Sequence, residues 1–251
     1  MLKKLMAANW KMFKTWEEAR QTAREIVVAV RNDLPQDREV LLFPPFTALR
    51  GVSEMLSQQE GFHLGGQNFY PSEQGAFTGE ICPDQLLDAG CSFALVGHSE
   101  RRHVLEEKDE FLALKVAFGL QKGLRIVFCV GETLQERKEN RVEEVLSRQL
   151  ETGLQKISAE TKPEWLAVAY EPVWAIGTGE TAGPPEIQEA HDLVRAKLKQ
   201  ILTYGDQVRI LYGGSVKPDN TASIISLDNA EGVLVGGASL NAEKFSNIIL
   251  A

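Results

Sequence analysis

The chain has 251 residues, 43% of them hydrophobic and 25% charged, which is the composition of an ordinary globular protein. A formal net charge of −8 argues against a general nucleic-acid or anionic-membrane surface, where a basic excess is required. No apolar run approaches the ~20 residues of a membrane helix, so neither a nucleic-acid nor a membrane partner is expected.

In chain order, a short apolar run at 5–8 is followed by a helical stripe of Trp16, Ala19, Ala23, Ile26 or Val27, and Val30, opened by a Thr15–Glu18 capping box. Apolar runs follow at 40–43 and at 62–64, the latter broken by His63 and ending in Gly65-Gly66. A helix is expected over 82–89, a run at 93–96, and a helix with Phe111, Leu114 and Phe118 along one face. Then come a run at 126–130, a helix over 143–154 and a run at 165–170. Pro184-Pro185 starts a helix striped by Ile187, Ala190, Val194, Leu198 and Ile201. Runs at 208–212 and 233–235 each precede a shorter helix, after Lys217 and after Ser239. The eight runs are continuous rather than alternating, as strands buried on both faces are. No low-complexity linker divides them. Their alternation with helices at ~25–40-residue spacing predicts one (β/α)8 barrel domain over 1–251.

The residues just past each run carry the functional signal. Asn9 and Lys11 follow the first run, His98-Ser99-Glu100 the fourth, Glu132 the fifth and Glu171 the sixth. Gly213-Gly214-Ser215 and Gly236-Gly237 follow the last two. In a parallel barrel these ends open on one face, so they converge. Taken singly, Glu171 starts a loop, His98 caps a helix or sits in the core, Lys11 is a surface lysine and the glycine pairs are turns. Taken together, they place a carboxylate, a histidine and a cation beside two glycine pairs whose backbone N–H groups suit a phosphate. Tyr170, Trp174 and Tyr212 read as packing residues. Gly177–Ala182 matches the G-x-G-x-x-A dinucleotide pattern, but it neither follows a strand directly nor opens a helix, so a nicotinamide site is rejected.

The motifs AANWKM, VGHSERR, CVGETLQER, AYEPVWAIGTG, LYGGSV and LVGGASL occur in this order along the whole chain. Together they resemble the triosephosphate isomerase family, whose fold is the TIM barrel. The resemblance implies interconversion of dihydroxyacetone phosphate and D-glyceraldehyde 3-phosphate through an enediolate, a step of glycolysis and gluconeogenesis, with no cofactor and no metal. It assigns Glu171 as the base and His98, neutral at a helix N-terminus, as the group that polarises the carbonyl. Lys11 and Asn9 offset developing charge, with Lys11 the one cation the sequence places in the site, and Glu100 hydrogen-bonds within it. N–H groups of Gly177, Ser215, Gly236 and Gly237 hold the phosphate, and 172–178 forms a lid. The loop 68–80, with Phe69, Tyr70 and Phe77 reading as exposed, implies a homodimer in which it enters the neighbouring subunit near Lys11 and brings Thr78 to the partner's site. Its YPSEQ stretch departs from the family's usual context.

Two other readings compete. An aldolase-type barrel needs a Schiff-base lysine inside a strand, and Lys11 lies just past one. A barrel that only binds would not need Lys11, His98 and Glu171 together. The start, MLKKLMAANWKMFK, lacks a signal-peptide apolar region and cleavage site, and Cys82, Cys91 and Cys129 have no metal-ligand spacing. A cytoplasmic protein is expected.

Overall fold

The computed structural model of the protein describes residues 3–175 and 182–251. Eight parallel strands close into a barrel in sequence order: β1 (Lys4–Asn9), β2 (Arg38–Phe43), β3 (Phe62–Gly66), β4 (Phe93–Val96), β5 (Arg125–Val130), β6 (Leu166–Tyr170), β7 (Arg209–Tyr212) and β8 (Gly232–Val235). The last strand pairs with the first, from Leu5 opposite Gly232 to Ala8 opposite Val235. Around them lie α1 (Trp16–Val30), α2 (Leu49–Leu56), α3 (Pro83–Asp88), α4 (Ser99–His103), α5 (Asp109–Gln121), α6 (Leu134–Lys138), α7 (Val142–Leu154), α8 (Pro184–Ile201), α9 (Thr221–Ile225) and α10 (Ala242–Leu250).

The continuous apolar runs have a simple cause. Alternate strand residues belong to two different cores. Leu5, Ala7, Leu41, Phe93, Leu95, Val127, Cys129, Ala167, Ala169, Leu211 and Leu234 fill the barrel's interior. Their neighbours Met6, Ala8, Val40, Leu42, Ile126, Phe128 and Val168 pack outward against the helices. At the floor, the interior Arg209 donates to Glu39 Oε2 at 3.0 Å. His63 beside it and Arg209 hold the Glu39 carboxyl down at about 2.

The structure corrects four details of the sequence reading. Helix α5 buries Leu112, Ala113, Lys115, Val116 and Gly119, whereas Leu114 of the expected face is 44% exposed. Phe111 and Phe118 instead lie beneath the ammonium groups of Lys115 and Lys122, and Phe111 also meets Tyr70. Trp16 stands outside the buried stripe of α1, covered by the Arg20 guanidinium 4.4 Å from its ring. Phe69 is fully buried rather than exposed, and Trp165 belongs to a 3-10 turn before β6. The capping box at Thr15 and the proline start of α8 are as expected.

Candidate active site

On five strands the interior register, continued by two residues, delivers one residue to the barrel mouth. Ala7 leads to Asn9, Cys129 to Gly131, Ala169 to Glu171, Leu211 to Gly213 and Leu234 to Gly236. A cavity of about 780 Å³ opens there, lined by Asn9, Lys11, His98, Glu171, Ser215, Gly236 and Gly237 among others. Seven of the nine residues the sequence singled out therefore meet in one space. Glu100 reaches it through Lys11. Gly177, like residues 176–178 of the expected lid and most of the 177–182 pattern, lies outside the described residues.

Glu171 and His98 form the centre. The carboxylate is 2% exposed, its Oε1 lies 3.2 Å from His98 Nε2, and its Oε2 accepts from the Ser99 N–H at 2.8 Å. On the other side of the ring, His98 Nδ1 accepts the Glu100 N–H at 3.3 Å as the cap of α4. A nitrogen that accepts a backbone N–H carries no proton of its own, so this contact selects the neutral imidazole with its proton on Nε2. Two glycines make room for Glu171, one for its backbone and one for its side chain. A Cβ on Gly131 would sit 1.9 Å from the Glu171 carbonyl oxygen, and one on Gly213 would sit 2.8 Å from Glu171 Cγ.

Lys11 is held in the left-handed region, φ 51°, which few non-glycine residues occupy. The Asn9 side chain accepts its N–H at 2.9 Å, and Gln67 Nε2 donates to its carbonyl at 2.8 Å while also donating to Phe43 O at 2.9 Å. The ammonium so aimed pairs with Glu100 Oε1 at 2.6 Å. A Cβ on Gly236 would lie 3.4 Å from Lys11 Cε, and Gly237 faces open space, so backbone N–H groups there are approachable. Lys11 is not the sole cation, since Lys217 and Lys244 line the same cavity.

The family model for triosephosphate isomerase matches residues 4–251. The chain belongs to the triosephosphate isomerase family. It is 59% identical over 251 residues to the triosephosphate isomerase of Nitratidesulfovibrio vulgaris (strain DP4), covering 100% of both chains. It is 57% identical over 251 residues to that of Oleidesulfovibrio alaskensis, again over 100% of both. The crystal structure of the Bartonella henselae triosephosphate isomerase superposes with a TM-score of 0.88 at 36% identity, over 98% of each chain.

Several parts of this triosephosphate isomerase-family site were not named from sequence. Gln67 follows β3 without a motif, and the Ser99 N–H is a backbone group that no residue type announces. Glu132, noted only for its place after β5, is fully buried. Its Oε1 accepts from Tyr170 Oη at 3.1 Å, Trp174 Nε1 at 2.8 Å and Arg137 at 3.1 Å, so it fixes the segment following Glu171. The Cys129 thiol lies against Glu171; burial pushes its pKa well up, and the carboxylate pushes it further. Among the described residues no cluster of three His, Cys, Asp or Glu side chains is spaced to hold a metal ion.

Proposed function

We propose that the chain interconverts dihydroxyacetone phosphate and D-glyceraldehyde 3-phosphate, with Glu171 moving a proton between adjacent carbons. The observation that carries this reading is the meeting of Glu171 and a singly protonated His98, 3.2 Å apart, at the mouth of a cavity that also holds Lys11. A proton α to a carbonyl is weakly acidic, so its removal needs a positioned base and a stabilised oxyanion at once. Glu171 takes the carbon-bound proton, and the Nε2–H of His98 donates to the carbonyl oxygen. Glu171 then returns its proton to the neighbouring carbon, while the hydroxyl on the first carbon gives up its proton to His98 Nε2, which replaces the one donated to the former carbonyl oxygen. The sum is neutral in electrons and protons, so no redox partner enters it. Lys11, freed from Glu100, offsets the charge on oxygen, with Asn9 beside it.

The phosphate is held by N–H groups of Ser215, Gly236 and Gly237, together with Gly177, and 172–178 closes over it to exclude water. A homodimer through loop 68–80 accompanies this reading. Residues 73–80 of that loop are exposed throughout, while its base is tied by the Tyr70 N–H to Ile81 O at 2.8 Å. Near the mouth, Met12 is 96% exposed and Phe13 is half-exposed, which is an apolar surface suited to a second copy's loop. Three free, buried cysteines suit a cytoplasmic setting, and no helix among the described residues is long and apolar enough to cross a membrane.

The test is a coupled assay of glyceraldehyde 3-phosphate isomerisation without added cofactor, on the parent protein and on Glu171→Gln. The parent should turn over, and the variant should lose roughly 10²–10⁴ in kcat, as expected for a positioned general base. An inactive parent, or a variant with near-normal kcat, would overturn the assignment.

A further inference from the structure

Past Ala8 and Val235, the last paired residues of β1 and β8, the two strands separate. One continues to Lys11, the other to Gly236 and the 3-10 turn Gly237–Leu240. Among the described residues two hydrogen bonds cross the gap. Trp10 Nε1 donates to Ser239 O at 3.0 Å, and Lys14 Nζ donates to Leu240 O at 2.9 Å. The Lys14 ammonium also donates to Thr22 Oγ1 of α1 at 2.8 Å and lies 5.4 Å from the centre of a Trp10 ring. Its backbone, φ 73°, is left-handed like that of Lys11, so the short loop between them is bent at both ends. A single bond at Trp10 would leave that loop free to pivot. A second, charge-assisted bond to the adjacent carbonyl removes the pivot.

We propose that Lys14 is a positioning residue for the phosphate-binding half of the site. Its ammonium braces the loop carrying Lys11 against the turn carrying Gly236 and Gly237, and so fixes the span across which one phosphate is held. This rests on the reading above that those groups grip the substrate's phosphate. Glu171 and His98 follow β6 and β4 and are held by the Ser99 and Glu100 N–H groups, bonds that Lys14 does not touch. Loss of the brace therefore weakens the grip on phosphate more than the proton transfer itself.

The experiment compares kcat/KM for glyceraldehyde 3-phosphate with kcat/KM for glyceraldehyde, which lacks the phosphate, the latter followed by proton exchange in heavy water. In Lys14→Met the ratio of the two should fall by about ten- to a hundredfold, the scale of an ångström-sized misplacement of a binding group. General destabilisation would lower both rates and leave the ratio alone. Lys14→Arg, which keeps a charged donor, should recover most of the ratio; an arginine variant as poor as the methionine one would overturn the charged brace. If Lys14→Met does not fold, Lys14→Gln is read in the same way. A parent that does not isomerise glyceraldehyde 3-phosphate overturns the functional reading. An active parent whose Lys14→Met or Lys14→Gln ratio is unchanged overturns the brace alone.

Discussion

His191 gives stability that acid should remove by a calculable amount. It lies on α8, fully buried, with its ring edge-on to Tyr170 at 5.9 Å and tilted against Tyr212 at 6.5 Å. Its Nδ1 lies 2.8 Å from Asn229 O, so Nδ1 carries the proton, while Nε2 has no hydrogen-bond partner among the described residues. Protonating Nε2 would bury an unpaired charge, and burial accordingly lowers the pKa from 6.5 to about 4 even though the Asn229 carbonyl opposes the shift. The unfolded chain takes up this proton near pH 6.5, the folded one only near 4. Between those values the unfolded state binds more protons, so the contribution is complete above 6.5 and is lost as pH falls towards 4. At ~1.4 kcal/mol per pH unit, that interval corresponds to about 3 kcal/mol. Urea unfolding at fixed protein concentration, from pH 7.5 to 4, should be run on the parent and on His191→Gln, which keeps an N–H for the Asn229 carbonyl. Other titrations, Glu39 among them, cancel in the difference. The parent's advantage over the variant should shrink by about 3 kcal/mol across the range. Parallel curves would refute the account of a buried neutral imidazole.

Three further outcomes are expected. Gly213→Ala puts a Cβ 2.8 Å from Glu171 Cγ, so kcat should drop by roughly 10²-fold while the urea midpoint moves little; normal turnover would show that the carboxylate adapts freely. Lys11→Met should weaken competitive inhibition by inorganic phosphate by about ten- to a hundredfold, the worth of a charge-assisted hydrogen bond, and an unchanged inhibition constant would remove Lys11 from phosphate binding. Shortening the loop across 72–77 should give a monomer of low activity by sedimentation and assay, because in the proposed dimer this loop covers the exposed surface at Met12; a fully active monomer would contradict that coupling.

The barrel was legible in the sequence because each strand is buried on both sides. Leu5 and Ala7 face one core and Met6 and Ala8 the other, so the strands write nearly continuous apolar runs, with β3 interrupted at His63. The site was legible wherever a polar side chain ended such a run, as Glu171 does after Tyr170. Helix α5 misled because apolar residues surround it: Phe111 and Phe118 find partners in Tyr70 and lysine ammonium groups, so their spacing carried no information about the buried side. Gln67 and the Ser99 N–H act through position alone. Gly213 was read as a phosphate glycine, and its bare Cα also makes room for Glu171, a demand set by a residue 42 positions away that no local pattern encodes.

The three cysteines turn the molecule into its own unfolding clock. Burial pushes the Cys91 thiol up to about 12 and the Cys129 thiol well above its ordinary value, and alkylating reagents attack the thiolate. In the folded chain those sulfurs are therefore nearly inert, and labelling waits for the structure to open. Cys129 lies inside the barrel on β5 and reacts only when the strands part. Cys82 sits at the start of α3, where a local opening is enough to expose it. Timed alkylation read by peptide mass then separates the lifetime of the barrel from that of its periphery within a single sample, with no probe added to the chain.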